Sequence, residues 1–256
     1  MLIRLFIVIS LLLFSSCSFF KKDDLSNQEK FELGVSYFSD KKFQKAKDTF
    51  ELLVQNEPGS LGVESSYHLA MTLFELEQYD EASYHFNYYS TFSKNVDNVE
   101  LSQFMKCRCA FEVCISYTKD QSNSFFAISV IQEFLDNFPY STYKEEAYDM
   151  INDLRNRISK KYYEAGRLYM KMKEFNSAFY YFDIVILDYY DTDFFDEALI
   201  SYIFTYIVME EHEEAKKYFN SNKEKFRNPS KQKEAEEMLV NYQKSLGFSG
   251  LYRLYK

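Results

Sequence analysis

Twelve residues separate Gly34 from Ala46, and the same interval separates Ala70 from Ala82 and Gly166 from Ala178. A small residue on each of two successive segments lets a pair of helices cross closely. Large neighbours at fixed offsets, Tyr37 and Phe50, then Phe86, then Tyr169 and Phe182, fill the space beside the crossing. One such pair cannot bury its apolar face alone, so the period implies a stack of pairs sharing a continuous core. Six glycines and three prolines in 256 residues are too few for a sheet-rich fold with many tight turns, and suit helices joined by short polar loops. The fold class expected is all-α.

From Phe31 onward, Leu33-Gly34, Tyr37, Ala46, Phe50 and Pro58 fit the tetratricopeptide pattern, with Lys30 in place of its leading Trp. The unit recurs as Leu69-Ala70, Ala82 and Phe86, and again as Gly166, Tyr169, Ala178 and Phe182. Tyr206, Ala215 and Phe219 form a weaker copy without the first small residue. Between these lies a degenerate unit with Ala110, a polar insert at Lys119-Asp120-Gln121-Ser122-Asn123, Ala127 and Pro139. The pattern predicts a right-handed superhelix of about five helix pairs, grouped as N-terminal repeats over 27–140 and C-terminal repeats over 141–256. A capping helix is expected over Lys231 to Leu246, ended at Gly247. Asp80 and Ser141-Thr142 read as helix starts. The stretch from Tyr143 to Met172, interrupted only by Gly166, reads as one long helix or as two with a weak joint.

At the N-terminus, Arg4, the apolar run Leu5 to Phe14 and the pair Ser15-Ser16 lead into Cys17. This is the form of a secretory signal, and its core falls short of the roughly 20 apolar residues that span a bilayer. The arrangement resembles a bacterial lipobox, with Phe14 where Leu is usual. It implies a signal over 1–16, lipidation of Cys17 and a tether over 17–26; an ordinary secretory cut leaving a free thiol is the alternative. Acyl chains on Cys17 would hold a soluble domain on a membrane surface. By resemblance to the common sorting rule, Ser18 rather than Asp favours the outer membrane.

Without the signal, 29 basic residues face 39 acidic ones, a balance that argues against binding a phosphate backbone, so no nucleic-acid partner is expected. Cys107, Cys109 and Cys114 lie in one helical stretch at spacings unsuited to mutual bridges, and read as packed thiols. A metal site would need a fourth ligand, and His68, His85 and His212 offer no matching spacing. The chain has no phosphate loop, nucleophile elbow or zinc helix. Glu145-Glu146, Asp183 with Asp188, and Glu213-Glu214 read as solvated helix faces rather than acid–base pairs. Neither catalysis nor a cofactor is expected.

The 23 tyrosines and 26 phenylalanines invite a binding role, although most must be core. Counting from Gly34 and Ala70 puts Phe31, Val35 and Phe38, then Tyr67, Met71 and Phe74, along the inner wall formed by the first helix of each repeat. Such a wall suits an extended or helical peptide, with rings supplying area and Met adaptability. Glu64 and Glu75 edge it.

A lipobox followed by about five divergent repeats resembles the BamD family of outer-membrane β-barrel assembly lipoproteins. Asp136-Asn137-Phe138-Pro139-Tyr140-Ser141 looks like the family's end of the third repeat, and Leu154-Arg155-Asn156-Arg157 like the stretch before the fourth. Tyr162 to Tyr169, Ala178 and Asp188-Tyr189-Tyr190-Asp191-Thr192 continue in similar order. The resemblance implies a lipid-anchored protein on the periplasmic face of the outer membrane. It implies two partners: unfolded barrel precursors at the early repeats, and the POTRA region of a BamA-like subunit at the later ones. Phe179-Tyr180-Tyr181-Phe182 stands where family members carry a basic contact residue, which leaves Arg155, Arg157 and Arg167 as candidate docking residues. A tetratricopeptide lipoprotein serving cell-wall synthesis or another secretion complex, or a surface lipoprotein binding a glycan or small ligand, fits the repeats as well.

Overall fold

The computed structural model describes residues 25–114 and 117–241, so Cys17, the signal, most of the tether and the Gly247 end of the capping helix lie outside the described residues. The described residues form eleven α-helices and one short 3-10 turn, in the order expected of five helix pairs followed by one further helix. They fall into two compact units, one ending at Ser102 and the other starting at Gln103.

The first unit holds α1 (Asn27–Ser39), α2 (Phe43–Asn56), α3 (Ser60–Glu75), α4 (Tyr79–Phe92) and the start of α5 (Val96–Glu112). Each of α1 to α3 packs on the next, and α1 also touches α3. Helix α1 opens with a capping box, in which the Glu29 N–H donates to Ser26 Oγ at 3.3 Å and the Ser26 N–H donates to Glu29 Oε2 at 2.8 Å. Helix α2 buries Ala46, Thr49, Phe50 and Leu53, the spacing of one helical face, and α4 repeats it with Ala82, Phe86 and Tyr89.

The second unit continues with α6 (Ser122–Asn137), α7 (Lys144–Lys171), α8 (Phe175–Asp188), α9 (Phe195–Val208), α10 (His212–Asn222) and α11 (Pro229–Asn241). Its core gathers Tyr163, Met170, Phe182, Val185, Ile203, Phe204, Ala215 and Met238, among others. Of the two readings of residues 143–172, the continuous one holds: α7 runs unbroken for 28 residues.

The twelve-residue interval has the expected cause. A Cβ added at Gly34 would lie 2.7 Å from Phe50 Cε1, and one added at Gly166 would lie 2.5 Å from Phe182 Cε1. Both rings are fully buried, so each glycine admits the ring of its partner helix. Four of the turns inside the pairs share one geometry as well. Lys41, Glu77, Lys173 and Glu210, each five residues before a buried alanine, adopt positive φ of 58°, 60°, 62° and 65°. The N–H of the next residue closes back on the helix at Tyr37, Leu73, Tyr169 and Tyr206, with distances of 2.8 to 3.0 Å. These are Schellman closures built without glycine. The copy judged weakest in sequence, at Tyr206, Ala215 and Phe219, therefore turns like the others, with buried Ile203 where the first small residue would be.

Two helix starts differ from expectation. Helix α4 begins at Tyr79 after Gln78, so Asp80 sits in its first turn near the positive helix end instead of capping it. Helix α7 begins after Tyr143, and Ser141 Oγ accepts the Tyr143 N–H at 3.0 Å, stabilising the preceding turn.

Candidate functional site

The six side chains expected on the inner wall fall into two rows in equal register, Phe31, Val35 and Phe38 on α1, and Tyr67, Met71 and Phe74 on α3. All six are half-buried. Their inner edges pack: Phe31 meets Phe50 at 5.9 Å and His68 at 5.1 Å, and Tyr67 meets Tyr89 at 5.0 Å. Phe38 lies against Phe43 at 5.6 Å, and Phe74 against Tyr79 at 5.4 Å, one ring pair bracing each turn. Rings held this way present their outer edges at low entropic cost. Glu64 accepts a hydrogen bond from the Tyr89 hydroxyl at 3.3 Å, whereas Glu75 is exposed. Burial holds the imidazole of His68 below its ordinary pKa; that of His85 is also lowered by burial, against an opposing pull from Glu81.

The three arginines of the second unit are each engaged within the chain. Arg155 grips Asp191 with two nitrogens, at 2.9 and 2.6 Å, donates to the Asp188 carbonyl at 2.8 Å and covers the Tyr189 ring. The Arg155 hydrogen bond holds the Asp191 carboxyl below the usual carboxylate range. Arg157 pairs with Asp153, donates to the Cys114 carbonyl at 3.1 Å and covers Phe111. Arg167 lies 3.5 Å from Glu164 and over Tyr163. The structure thus does not gather the three on one free face; it makes them braces along α7.

Cys107, Cys109 and Cys114 are buried and form no disulfide, and burial pushes the Cys107 thiol up to about 12, far from a reactive thiolate. No cluster of His, Cys, Asp and Glu with a metal-binding arrangement occurs among the described residues. Asp183 is half-buried, with its carboxyl raised by that burial, and faces tyrosines rather than a second carboxylate.

Three features escaped sequence reasoning. Tyr169 stacks on Tyr181 at 5.3 Å and Tyr202 on Tyr218 at 4.2 Å, while Phe179 bridges to Tyr202 and Tyr206. The position of the family's basic contact is therefore part of an aromatic layer, with Tyr180 exposed beside it. A polar cleft of about 310 Å³ opens where Asp196 accepts the N–H groups of Arg227 and Asn228, at 3.0 and 2.8 Å. Lys231 sits there between Glu197 and Glu234, fastening α11 to α9. A second cleft, of about 230 Å³, lies between the start of α1 and the end of α2 and is lined by Leu33, Thr49 and Leu52, among others. Its signal was a small polar Thr49 where the other repeats carry a ring or a valine, legible only once the repeats are superposed in register.

Stacked helix pairs sharing a continuous core define a helical-repeat protein. The sequence model of the outer membrane lipoprotein family YfiO matches residues 23–221, most of the chain, and the chain belongs to that family. The outer membrane protein assembly factor BamD of Rickettsia prowazekii is 25% identical over 186 residues, covering 72% of this chain and 74% of its own. The protein of the same name in Caulobacter vibrioides is 27% identical over 117 residues, 44% of this chain and 37% of its own. The crystal structure of the apo form of RapI aligns over 90% of this chain and 82% of its own at a TM-score of 0.30 and 16% identity, too distant to bear on function.

Proposed function

We propose that this protein is a lipid-anchored scaffold on the periplasmic face of the outer membrane, within the complex that assembles β-barrel proteins. In this reading the early repeats receive unfolded barrel precursors and the later repeats dock the POTRA region of a BamA-like subunit. Family membership across residues 23–221 carries the reading, with the similarity to two proteins named as outer membrane protein assembly factors beside it. The doubled row from Phe31 to Phe74 supports client binding, because precursor strands alternate apolar and polar side chains and need ring edges rather than catalysis. We assign partner docking to the later repeats around Arg155, Arg157 and Arg167, each of which internal bonds would hold in place.

The test is a mild-detergent pull-down of the tagged protein from its own envelope, with co-purified proteins identified by mass spectrometry. Near-stoichiometric recovery of a POTRA-containing barrel protein is expected. Recovery of cell-wall enzymes alone would replace this reading with that of a repeat lipoprotein serving cell-wall synthesis. Within a recovered complex, Met71→Ser with Tyr67→Ser should weaken client capture and leave POTRA docking intact.

A further inference from the structure

The repeats differ at one position. Three residues beyond the buried alanine of the second helix stand His85 after Ala82, Tyr181 after Ala178 and Tyr218 after Ala215, buried Val130 after Ala127, and Thr49 after Ala46. In the second, fourth and fifth repeats the position holds a ring, half-buried between the two helices of its pair or stacked on a neighbour. His85 Nδ1 lies 2.9 Å from Ser66 Oγ, Tyr181 is stacked with Tyr162 and Tyr169, and Tyr218 with Tyr202. The partner of that position on the first helix is Lys30 in the first repeat, Ser66 in the second and Tyr162 in the fourth. The first repeat has an aliphatic stem and a threonine where three of the others have a ring and one has an apolar valine, and there the cleft of about 230 Å³ opens, with Leu33 and half-exposed Leu52 on its walls. That volume suits one phenyl ring, and the rim of Asn27, Lys30 and Asn56 suits a backbone crossing it.

The chain supplies such a ring nearby. Asn27 lines the cleft, and seven residues before it stands Phe20, next to Phe19. Seven extended residues reach roughly 23 Å, more than enough to fold back across the first turns of α1. A covalently attached segment also reaches the cleft at an effective concentration no free peptide matches. We propose that the Phe19-Phe20 pair of the tether docks in this cleft and completes the first repeat, occupying the place that His85, Tyr181 and Tyr218 fill in three of the others. The inference goes beyond the assembly role and requires only that the mature chain retain Phe20, as a cut before Cys17 does. Docking would shorten the free tether. From Cys17 to Asn27 ten residues span at most about 33 Å, whereas from Cys17 to a docked Phe20 three residues span about 10 Å. The first repeat would then stay close to the membrane whatever the later repeats bind.

The test places a photo-reactive phenylalanine analogue at position 20 of the full-length protein in its own envelope. Intact mass establishes that position 20 is retained, and cross-linked peptides are mapped after irradiation. Intrachain cross-links to the peptides carrying Lys30–Leu33 or Leu52–Asn56 are expected. Thr49→Tyr, which supplies the ring from within as Tyr181 does, should lower their yield at least tenfold, and so should Leu52→Glu at a half-exposed wall position. Cross-links to lipid or to other proteins alone, or an intrachain yield unmoved by both substitutions, would overturn the proposal. A mature chain lacking Phe20 would overturn it too. A pull-down that recovers no POTRA protein would leave it standing, because the readout lies wholly within this chain.

Discussion

Replacing Gly166 by Ala sets two effects of opposite sign against each other in the middle of α7. An alanine in a helix interior is worth about 1 kcal/mol over glycine, so propensity alone favours the change. The new methyl, however, would meet Phe182 Cε1 at 2.5 Å, Cδ1 at 2.7 Å and Cζ at 3.0 Å. Restoring ordinary contact asks the ring to retreat by roughly 1 Å, and Phe182 has no exposed surface to retreat into, with the Tyr163 ring 6.2 Å away. Overpacking of this kind costs about 1–3 kcal/mol, so the net expectation is a loss of up to about 2 kcal/mol and a fall in Tm of up to about 8 °C. Urea melts followed by far-ultraviolet circular dichroism measure it. Adding Phe182→Leu should recover part of the loss, a coupling of about 1 kcal/mol between the two sites. Fully buried Ala70, at the equivalent place, supplies an internal control of the opposite sense: Ala70→Gly should also destabilise, by losing both propensity and a buried methyl. A Gly166→Ala protein more stable than its parent would refute the reasoning, since the ring would then have yielded at no cost.

Lys173 holds a positive φ of 62° that glycine adopts freely; Lys173→Gly should therefore raise stability by about 0.5 kcal/mol despite the added chain entropy, whereas Lys173→Val should lower it, both read as shifts in urea midpoint. His68 and His85 have folded-state pKa values below the unfolded value of about 6.5, so their contribution to the first unit is complete above that pH and is lost as the pH falls through the folded values. Hydrogen exchange at pH 7 and pH 5 should show protection falling in α2 to α4, and His85→Gln should flatten its share of the change. Arg155→Lys keeps the charge but loses the two-pronged grip on Asp191, costing about 1 kcal/mol. The depressed Asp191 pKa means that this contribution is present above about pH 4 and disappears as the pH drops further, so parent and variant stabilities should converge in acid.

The repeat is a local property, and the sequence alone determined it. Gly34 and Gly166, the alanines twelve residues on and the rings beside them specify how closely two adjacent helices cross, because neighbours joined by a tight turn have few other ways to pack. The sequence likewise named the two rows from Phe31 to Phe74, since a helical face repeats on a fixed count. Tertiary structure decided matters that depend on residues far apart in the chain. The bond from Arg155 to Asp191 spans 36 positions, which gives a candidate docking charge an internal partner as well. The four turns adopt positive φ without glycine because packing of the flanking helices outweighs local backbone preference, and no residue type at 41, 77, 173 or 210 announces it. The cleft beside Thr49 belongs to the same class: a missing ring is invisible until the folded repeats fix what should have filled it, because empty volume arises between helices and not within a sequence.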